Sequence, residues 1–264
     1  MNILAIETTG AFASVAFAKS ETPGMLAQII SKVNGCDRFS HLQNLTPQIQ
    51  QVLEDAGKTD EFDEGLTVKD LDYIAVSVGP GSFTGIRIGV ATARALAQSL
   101  DIPCVGVSSL EALAMRIQPG ECNVAVEGIQ TGWDVTEDTL ICPILDARRS
   151  QVYGGGYFIK DRFPVEEIKA GPYTLDEFLE AAKDYDKVCF LGDGVDKYGG
   201  EIVAGRKGRT GFAREKIRYQ DAGQIARLGC RMYEEGKAVS FAKLQPEYMR
   251  MAEAERKLRE KQGK

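Results

Sequence analysis

The stretch LDYIAVSVGPGSFTGIRIGV, residues 71–90, changes character halfway along. Its first part, Leu71 to Val78, is apolar with few interruptions, the pattern of a strand covered on both faces. Gly79-Pro80-Gly81-Ser82 breaks that run. Beyond it the spacing predicts a helix to about Ser99. Pro103–Val107 then reads as a strand and Ser109–Ile117 as a helix. A strand, a helix and a second buried strand in this order imply a parallel pair joined by a right-handed crossover.

Working back from this unit, residues 2–8 (NILAIET), Phe12–Ala18 and Met25–Val33 read as three strands with short connections, an antiparallel meander. A helix follows, opened by Ser40 with Gln43 as a capping box and closed by Gly57 in the place of a C′ residue. Within it Leu42, Leu45, Ile49, Val52 and Ala56 recur at helical spacing, and Leu53 widens the seam. Pro47 removes one backbone hydrogen bond, so a kink is expected there. Residues 60–64 are acidic and read as a solvated loop. The plan β-β-β-α-β-α emerges.

Working forward, residues 118–138 contain Pro119, Gly120, Gly128, Gly132 and the sole tryptophan, Trp133, and read as an inserted loop. A second cycle begins after it. Leu140–Asp146 and Gln151–Ile159 form a hairpin turning near Arg148-Arg149-Ser150. Thr174 and Glu177 cap a helix, Val188–Leu191 is a strand ending in Gly192-Asp193-Gly194, and a helix runs from Asp221 to Glu235 with Gly236 after it. Two cycles predict an α/β protein of two related lobes. The first spans 1–108, joined by the 221–236 helix. The second spans 109–220, and 237–264 form a charged tail, partly helical.

Composition narrows the chemistry. The chain has 264 residues, with 32 Lys and Arg against 38 Asp and Glu, a net charge of −6. That excludes a broadly basic surface for nucleic acid. A single histidine, His41, excludes a three-histidine metal site. Six cysteines without a C-x-x-C pair read as buried free thiols in a reducing compartment. No apolar stretch is long enough to span a bilayer, and no basic leader precedes the first apolar run. A cytoplasmic protein is the expectation.

Several segments could carry chemistry. The turn Glu7-Thr8-Thr9 offers hydroxyls and N–H groups to a phosphate; the plainer reading is an ordinary Thr-rich turn. Gly79–Gly85 brings a strand to a helix N-terminus, an anion site by default, though without the lysine of a P-loop. Gly85, Gly89 and Ala93 recur every four residues, which suits close approach of another backbone or of a partner's helix. Asp146-Ala147-Arg148 ends a strand, where an aspartate can hold metal-bridged phosphate or simply cap its turn by pairing with Arg148 or Arg149. Gly192-Asp193-Gly194 is a nucleotide-loop pattern. The basic run Arg206, Lys207, Arg209, Arg214, Lys216, Arg218 reads as a solvated loop in preference to an RNA contact. His41, with no Ser or Cys placed beside it by any motif, reads as structural.

Taken together, MNILAIETT, SHLQNLTP, VSVGPGSFTGIRIG, IPCVGVSSLEALA, ILDARRSQVY and QPEYMR resemble the TsaB family, dimerisation subunits of the bacterial machinery that forms threonylcarbamoyladenosine on tRNA. The likeness covers nearly the whole chain; 58–66 and 118–138 match less well. It implies the two-lobed actin/hexokinase/Hsp70-like fold, each lobe β-β-β-α-β-α. It implies docking through the helices 40–57 and 82–99 into a four-helix bundle, as a homodimer in isolation or with the catalytic paralogue TsaD. The interface would use Leu42, Leu45, Ile49, Val52, Gly85, Ile86, Arg87 and Gly89. A TsaE-type ATPase is the further partner implied, and tRNA is met only through the complex. TsaD-like proteins carry an H-x-E-x-H metal motif where this chain reads Ser109-Leu110-Glu111-Ala112-Leu113, so neither a metal nor catalytic residues are expected. Glu7, Thr8 and Thr9 remain as nucleotide contacts, with weak ATP or ADP binding at the subunit junction. The rival expectation is an active ATP-dependent kinase or metallohydrolase of the same fold; a second rival is an RNA-binding module built on 206–218.

Overall fold

The computed structural model describes residues 1–35, 41–59, 65–120, 123–126 and 129–250. Strands β1 (Asn2–Glu7), β2 (Ser14–Lys19) and β3 (Gln28–Asn34) form the antiparallel meander. Helix α1 (His41–Ala56) follows and runs through Pro47. Strand β4 (Tyr73–Gly79), helix α2 (Phe83–Leu100) and strand β5 (Cys104–Ser108) complete a sheet ordered β3-β2-β1-β4-β5, in which β1, β4 and β5 are parallel. Ser82 caps α2 by accepting from Gly85 N (3.2 Å), and Asp101 closes it in the left-handed region. Gly57 does not adopt a left-handed φ; its missing Cβ instead leaves room for the Leu66 amide, which would lie 2.7 Å from it.

Helix α3 (Ser109–Ala114) leads into the second lobe. Strands β6 (Asn123–Val126) and β7 (Ile129–Asp134) lie in the segment read as a loop, and they extend the far edge of the second sheet. Then come β8 (Leu140–Asp146), β9 (Gln151–Lys160), β10 (Phe163–Thr174), α4 (Leu175–Ala181), β11 (Lys187–Leu191), α5 (Asp193–Gly205), β12 (Arg209–Phe212), α6 (Glu215–Arg218) and α7 (Ala222–Glu234). The order β10-β9-β8-β11-β12 repeats that of the first sheet strand for strand, followed by β6-β7. This duplication is the two-lobed actin/hexokinase/Hsp70-like fold. The capping box at Thr174 and Glu177 is formed as the sequence implies, and Asp221 caps α7 through Gly223 N (2.8 Å).

Helices α1 and α2 share one face of the first sheet, where Leu4, Ile6, Phe17, Val52, Val76 and Ile86 form a single apolar cluster. α7 returns from the end of the second lobe to cover the other face, setting Ile225, Ala226 and Cys230 against Ile3, Ala5 and Val105. α3 is buried on both sides: Ala112 and Met115 belong to the first lobe's cluster, Leu110, Leu113 and Ile117 to the second's. Residues 237–250 contain no helix; Val239 pairs with Cys104 in an antiparallel bridge and Leu244 is buried in the first lobe. Among the described residues no helix is long and apolar enough to cross a membrane.

Candidate functional site

The first lobe's turn after β1 is held shut. Glu7 is fully buried; its Oε1 accepts from the Thr9 amide (2.5 Å) and the Thr9 hydroxyl (2.6 Å), while Oε2 has no partner. Burial pushes the Glu7 carboxyl above its usual range, opposed by the bonds from Thr9. Thr8 donates its hydroxyl to the Gly85 carbonyl (2.7 Å), and the Thr9 carbonyl accepts from Ser82 N (2.8 Å). Gly79 and Gly81 adopt φ of +123° and +151°; a Cβ on Gly81 would lie 2.5 Å from the Thr9 oxygen, and one on Gly79 2.5 Å from the Glu247 oxygen. A Cβ on Gly85 would fall on the Thr8 carbonyl, and one on Gly89 against Thr8 Oγ1.

Two expectations bear on these contacts. In the Glu7-Thr8-Thr9 turn the Thr8 hydroxyl is spent on α2 and the Thr9 amide and hydroxyl on Glu7, and of the three residues only Thr9 reaches the cleft between the lobes. The small face of α2 is a close-approach face, but the backbone that approaches is this chain's own.

The other expected interface residues are placed likewise. Leu45, Ile49, Val52 and Ile86 are buried against the chain's own sheet, and Gly85 and Gly89 against its own turn. None of these six offers a side chain to a partner. Arg87 does lie outside: it stacks on Phe83 (4.0 Å to the ring centroid) and donates to Tyr248 Oη (3.0 Å). The side chains of Leu42 and His41, and Ser40 with its capping box, lie outside the described residues. The outward faces are Thr46, Pro47, Gln50 and Glu54 on α1, and Thr84, Arg87, Ala91, Ala95 and Gln98 on α2.

Two weaker sequence signals converge in the second lobe. Asp193 Oδ1, at the start of α5, accepts from Asp146 N (3.0 Å) at the end of β8. Asp146 Oδ1 accepts from the Arg148 amide (2.9 Å), and both its carboxylate oxygens lie 3.1 Å from Lys197 Nζ. Asp146 therefore caps its turn, and its cationic partner is Lys197, not the Arg148 or Arg149 side chain. Arg148, Arg149 and Ser150 are all left-handed, with φ of 62°, 53° and 59°. Arg148 and Arg149, with Gln151, form one wall of a cleft of about 710 Å³ whose other walls are Thr9 and Ser82 from the first lobe and Tyr248 and Arg250 from the C-terminal segment. No periodicity or spacing marks residues 248–250 as part of this cleft, since their position follows from the pairing of Val239 with Cys104, far back in the chain.

Ser109 donates its hydroxyl to the Pro80 carbonyl, and Leu113 packs into the second lobe. Glu111 lies between them; burial, with help from Glu166 and Glu247, raises its carboxyl above the usual range. Among the described residues no group of three or more His, Cys, Asp or Glu side chains is placed to hold a metal. The basic run is not one solvated face: Arg206 is buried on the Ala182 and Tyr185 carbonyls, while Arg209 and Arg218 pair with Asp186 and Asp196.

A family model, TsaD: tRNA N6-adenosine threonylcarbamoyltransferase, matches residues 38–165. The chain is 34% identical to the tRNA threonylcarbamoyladenosine biosynthesis protein TsaB of Bacillus subtilis (strain 168), over 99% of this chain and 100% of that protein. It is 26% identical to the protein of the same name from Escherichia coli (strain K12), over 98% of each. A solved structure from Pseudomonas aeruginosa, described as an uncharacterized protein with similarity to peptidase YEAZ, superposes with a TM-score of 0.71 at 22% identity. It covers 94% of this chain and 99% of its own, and shows the same fold.

Proposed function

The chain belongs to the family of the tRNA threonylcarbamoyladenosine biosynthesis protein TsaB, and we propose that its part in that biosynthesis is a non-catalytic one, as the dimerisation subunit that docks onto a TsaD-type threonylcarbamoyltransferase. A TsaE-type ATPase is the further partner in this reading, tRNA is met through the complex, and the isolated chain pairs with itself. The observation that carries it is the sealed first turn: Thr8 and Thr9, where a working phosphate loop needs free donors, bond to Gly85, Ser82 and Glu7. The docking surface in this reading is the outward face of α1 and α2, centred on Arg87, Ala91 and Ala95.

The test is co-elution with TsaD, and tRNA modification assayed with and without this chain. Ala91→Arg and Ala95→Arg change exposed positions and leave the fold intact; loss of co-elution supports the reading, and unchanged co-elution for both overturns it. The inter-lobe cleft keeps one rival alive, an active kinase or hydrolase. In our reading ATP or ADP binds there weakly at most, so calorimetry with ATP and magnesium shows little saturable heat, whereas turnover by the isolated chain would establish the rival.

A further inference from the structure

Residues 239–250 take a path that their own sequence does not announce. Val239 and Cys104 exchange two backbone hydrogen bonds of 2.8 Å, so the segment starts as an added strand on the exposed edge of β5. Leu244, 2% exposed, enters the first lobe's core, where its Cδ1 would touch a Cβ on Gly106 at 3.4 Å. The Glu247 amide then donates to the Val78 carbonyl (2.8 Å), still on the first lobe. Tyr248 stacks on Phe83 with ring centroids 4.9 Å apart. Only there does the chain cross over. Met249 packs into the second lobe's apolar cluster, and Arg250 Nη1 donates to the Ala147 carbonyl (3.0 Å) at the head of the Arg148–Ser150 turn, beside Tyr153.

We propose that residues 239–250 are an inter-lobe strap that sets how far the cleft can open, with Leu244 as its anchor and Arg250 as its latch. The geometry limits the slack. Three peptide spans separate Glu247 from Arg250, about 11 Å at full extension, and the Arg250 side chain adds its own length up to Nη1. The bond to Val78 fixes one end on the first lobe and the bond to Ala147 the other on the second. The lobes cannot part beyond that reach without breaking the Glu247, Met249 or Arg250 contact. The strap also forms part of the cleft wall, so its release widens access to the space lined by Thr9, Ser82, Asp146 and Arg148. This inference is independent of the docking proposed above, since every contact in it lies within one chain.

The full-length chain, with Cys36 and Cys122 replaced by serine, is spin-labelled at Thr84→Cys on the first lobe and Ser150→Cys on the second, both exposed positions, and is diluted in excess unlabelled chain so that self-pairing adds no distance between labels on different copies. Electron–electron distance measurement with the strap intact should give one narrow distribution. Met249→Ala with Arg250→Ala should add a longer population, and Arg250→Lys alone, whose ammonium can still donate to Ala147, should keep the narrow one. A chain ended after Leu244 should show the longer population more fully. The proposal is overturned if the double substitution leaves the distribution unchanged, whether or not the shortened chain folds.

Discussion

Placing one methyl group on Gly85 separates two accounts of why α2 carries small residues. If the face exists to admit a partner's helix, Gly85→Ala weakens docking and leaves the folded chain as stable as before, or more so, because alanine is favoured over glycine in a helix by about 1 kcal/mol. The structure demands the opposite. The new Cβ falls on the Thr8 carbonyl, an atom of backbone that no rotamer change can move, with the Thr8 carbonyl carbon 3.0 Å away. Overpacking of this kind costs about 1–3 kcal/mol, and parting Thr8 from α2 also breaks the buried bond from its hydroxyl to Gly85, at about 1–3 kcal/mol for the groups left unpaired. Against the propensity gain, the net loss is about 3 kcal/mol, which for a chain of this size lowers Tm by about 6–12 °C. Gly89→Ala makes the sharper comparison. Its Cβ meets Thr8 Oγ1, a side-chain atom, so Thr8→Ala should relieve Gly89→Ala with a coupling of about 1 kcal/mol or more. The same change should do little for Gly85→Ala, whose obstacle is the carbonyl. Gly200, in α5 with nothing within 4 Å of its Cβ position, is the control: Gly200→Ala should raise stability by up to about 1 kcal/mol. Urea unfolding midpoints of the six variants decide it. Gly85→Ala as stable as the parent, or rescued by Thr8→Ala as fully as Gly89→Ala, would refute the reasoning.

Three further outcomes are expected. Glu7 has a folded-state pKa raised above the unfolded value near 4.5, so its contribution is fully present below about pH 4.5 and is lost as pH rises through the folded value; Glu7→Gln should flatten the decline of Tm across that interval, and an unchanged pH profile would show that Glu7 does not titrate in it. Arg116→Ala leaves the buried Asp221 with Lys32 as its remaining cation among the contacts at 2.8 Å and 2.5 Å, and should cost about 3 kcal/mol in denaturant unfolding. Because Asp221 is held below its usual range by Arg116 and Lys32, this cost should shrink as pH falls through and below the unfolded value near 3.8. Ala91→Arg, on the outward face of α2, should change stability by no more than about 0.5 kcal/mol while abolishing co-elution with TsaD.

The parts of the fold that could be read in advance are those where periodicity changes sharply. The step from Leu71–Val78 to the helix beyond Ser82 is one, and the hairpin about Arg148–Ser150 is another. β10 was missed because Phe163–Thr174 mixes Pro164, Gly171 and three charged residues, a composition that an edge strand with register shifts tolerates and a central strand does not. α5 was missed because Gly199-Gly200 interrupts it. The residues expected at an interface show a different ambiguity. A seam of Leu45, Ile49 and Val52 has the same spacing whether it faces a partner's helix or the chain's own sheet, and hydrophobic period alone does not choose. The covering surface is β2 and β3, which precede the helix and leave no mark on its pattern.

Comparing the two lobes position by position explains why one half of the cleft is closed and the other is not. Each lobe offers a turn between its first two strands and the N-terminus of the helix after its fourth. In the first lobe these are Glu7–Thr9 and the start of α2, and glycine at 81, 85 and 89 lets them come together until Thr8 and Thr9 bond directly to the helix. In the second lobe the equivalents are Asp146–Ser150 and the start of α5. There Asp193 reaches back to the Asp146 amide, Lys197 neutralises the Asp146 carboxylate, and three left-handed residues turn Arg148 and Arg149 outward. The duplication has thus left the Thr8 hydroxyl and the Thr9 amide and hydroxyl of the first turn in a packing joint, while the equivalent turn of the second lobe turns charged side chains to the cleft.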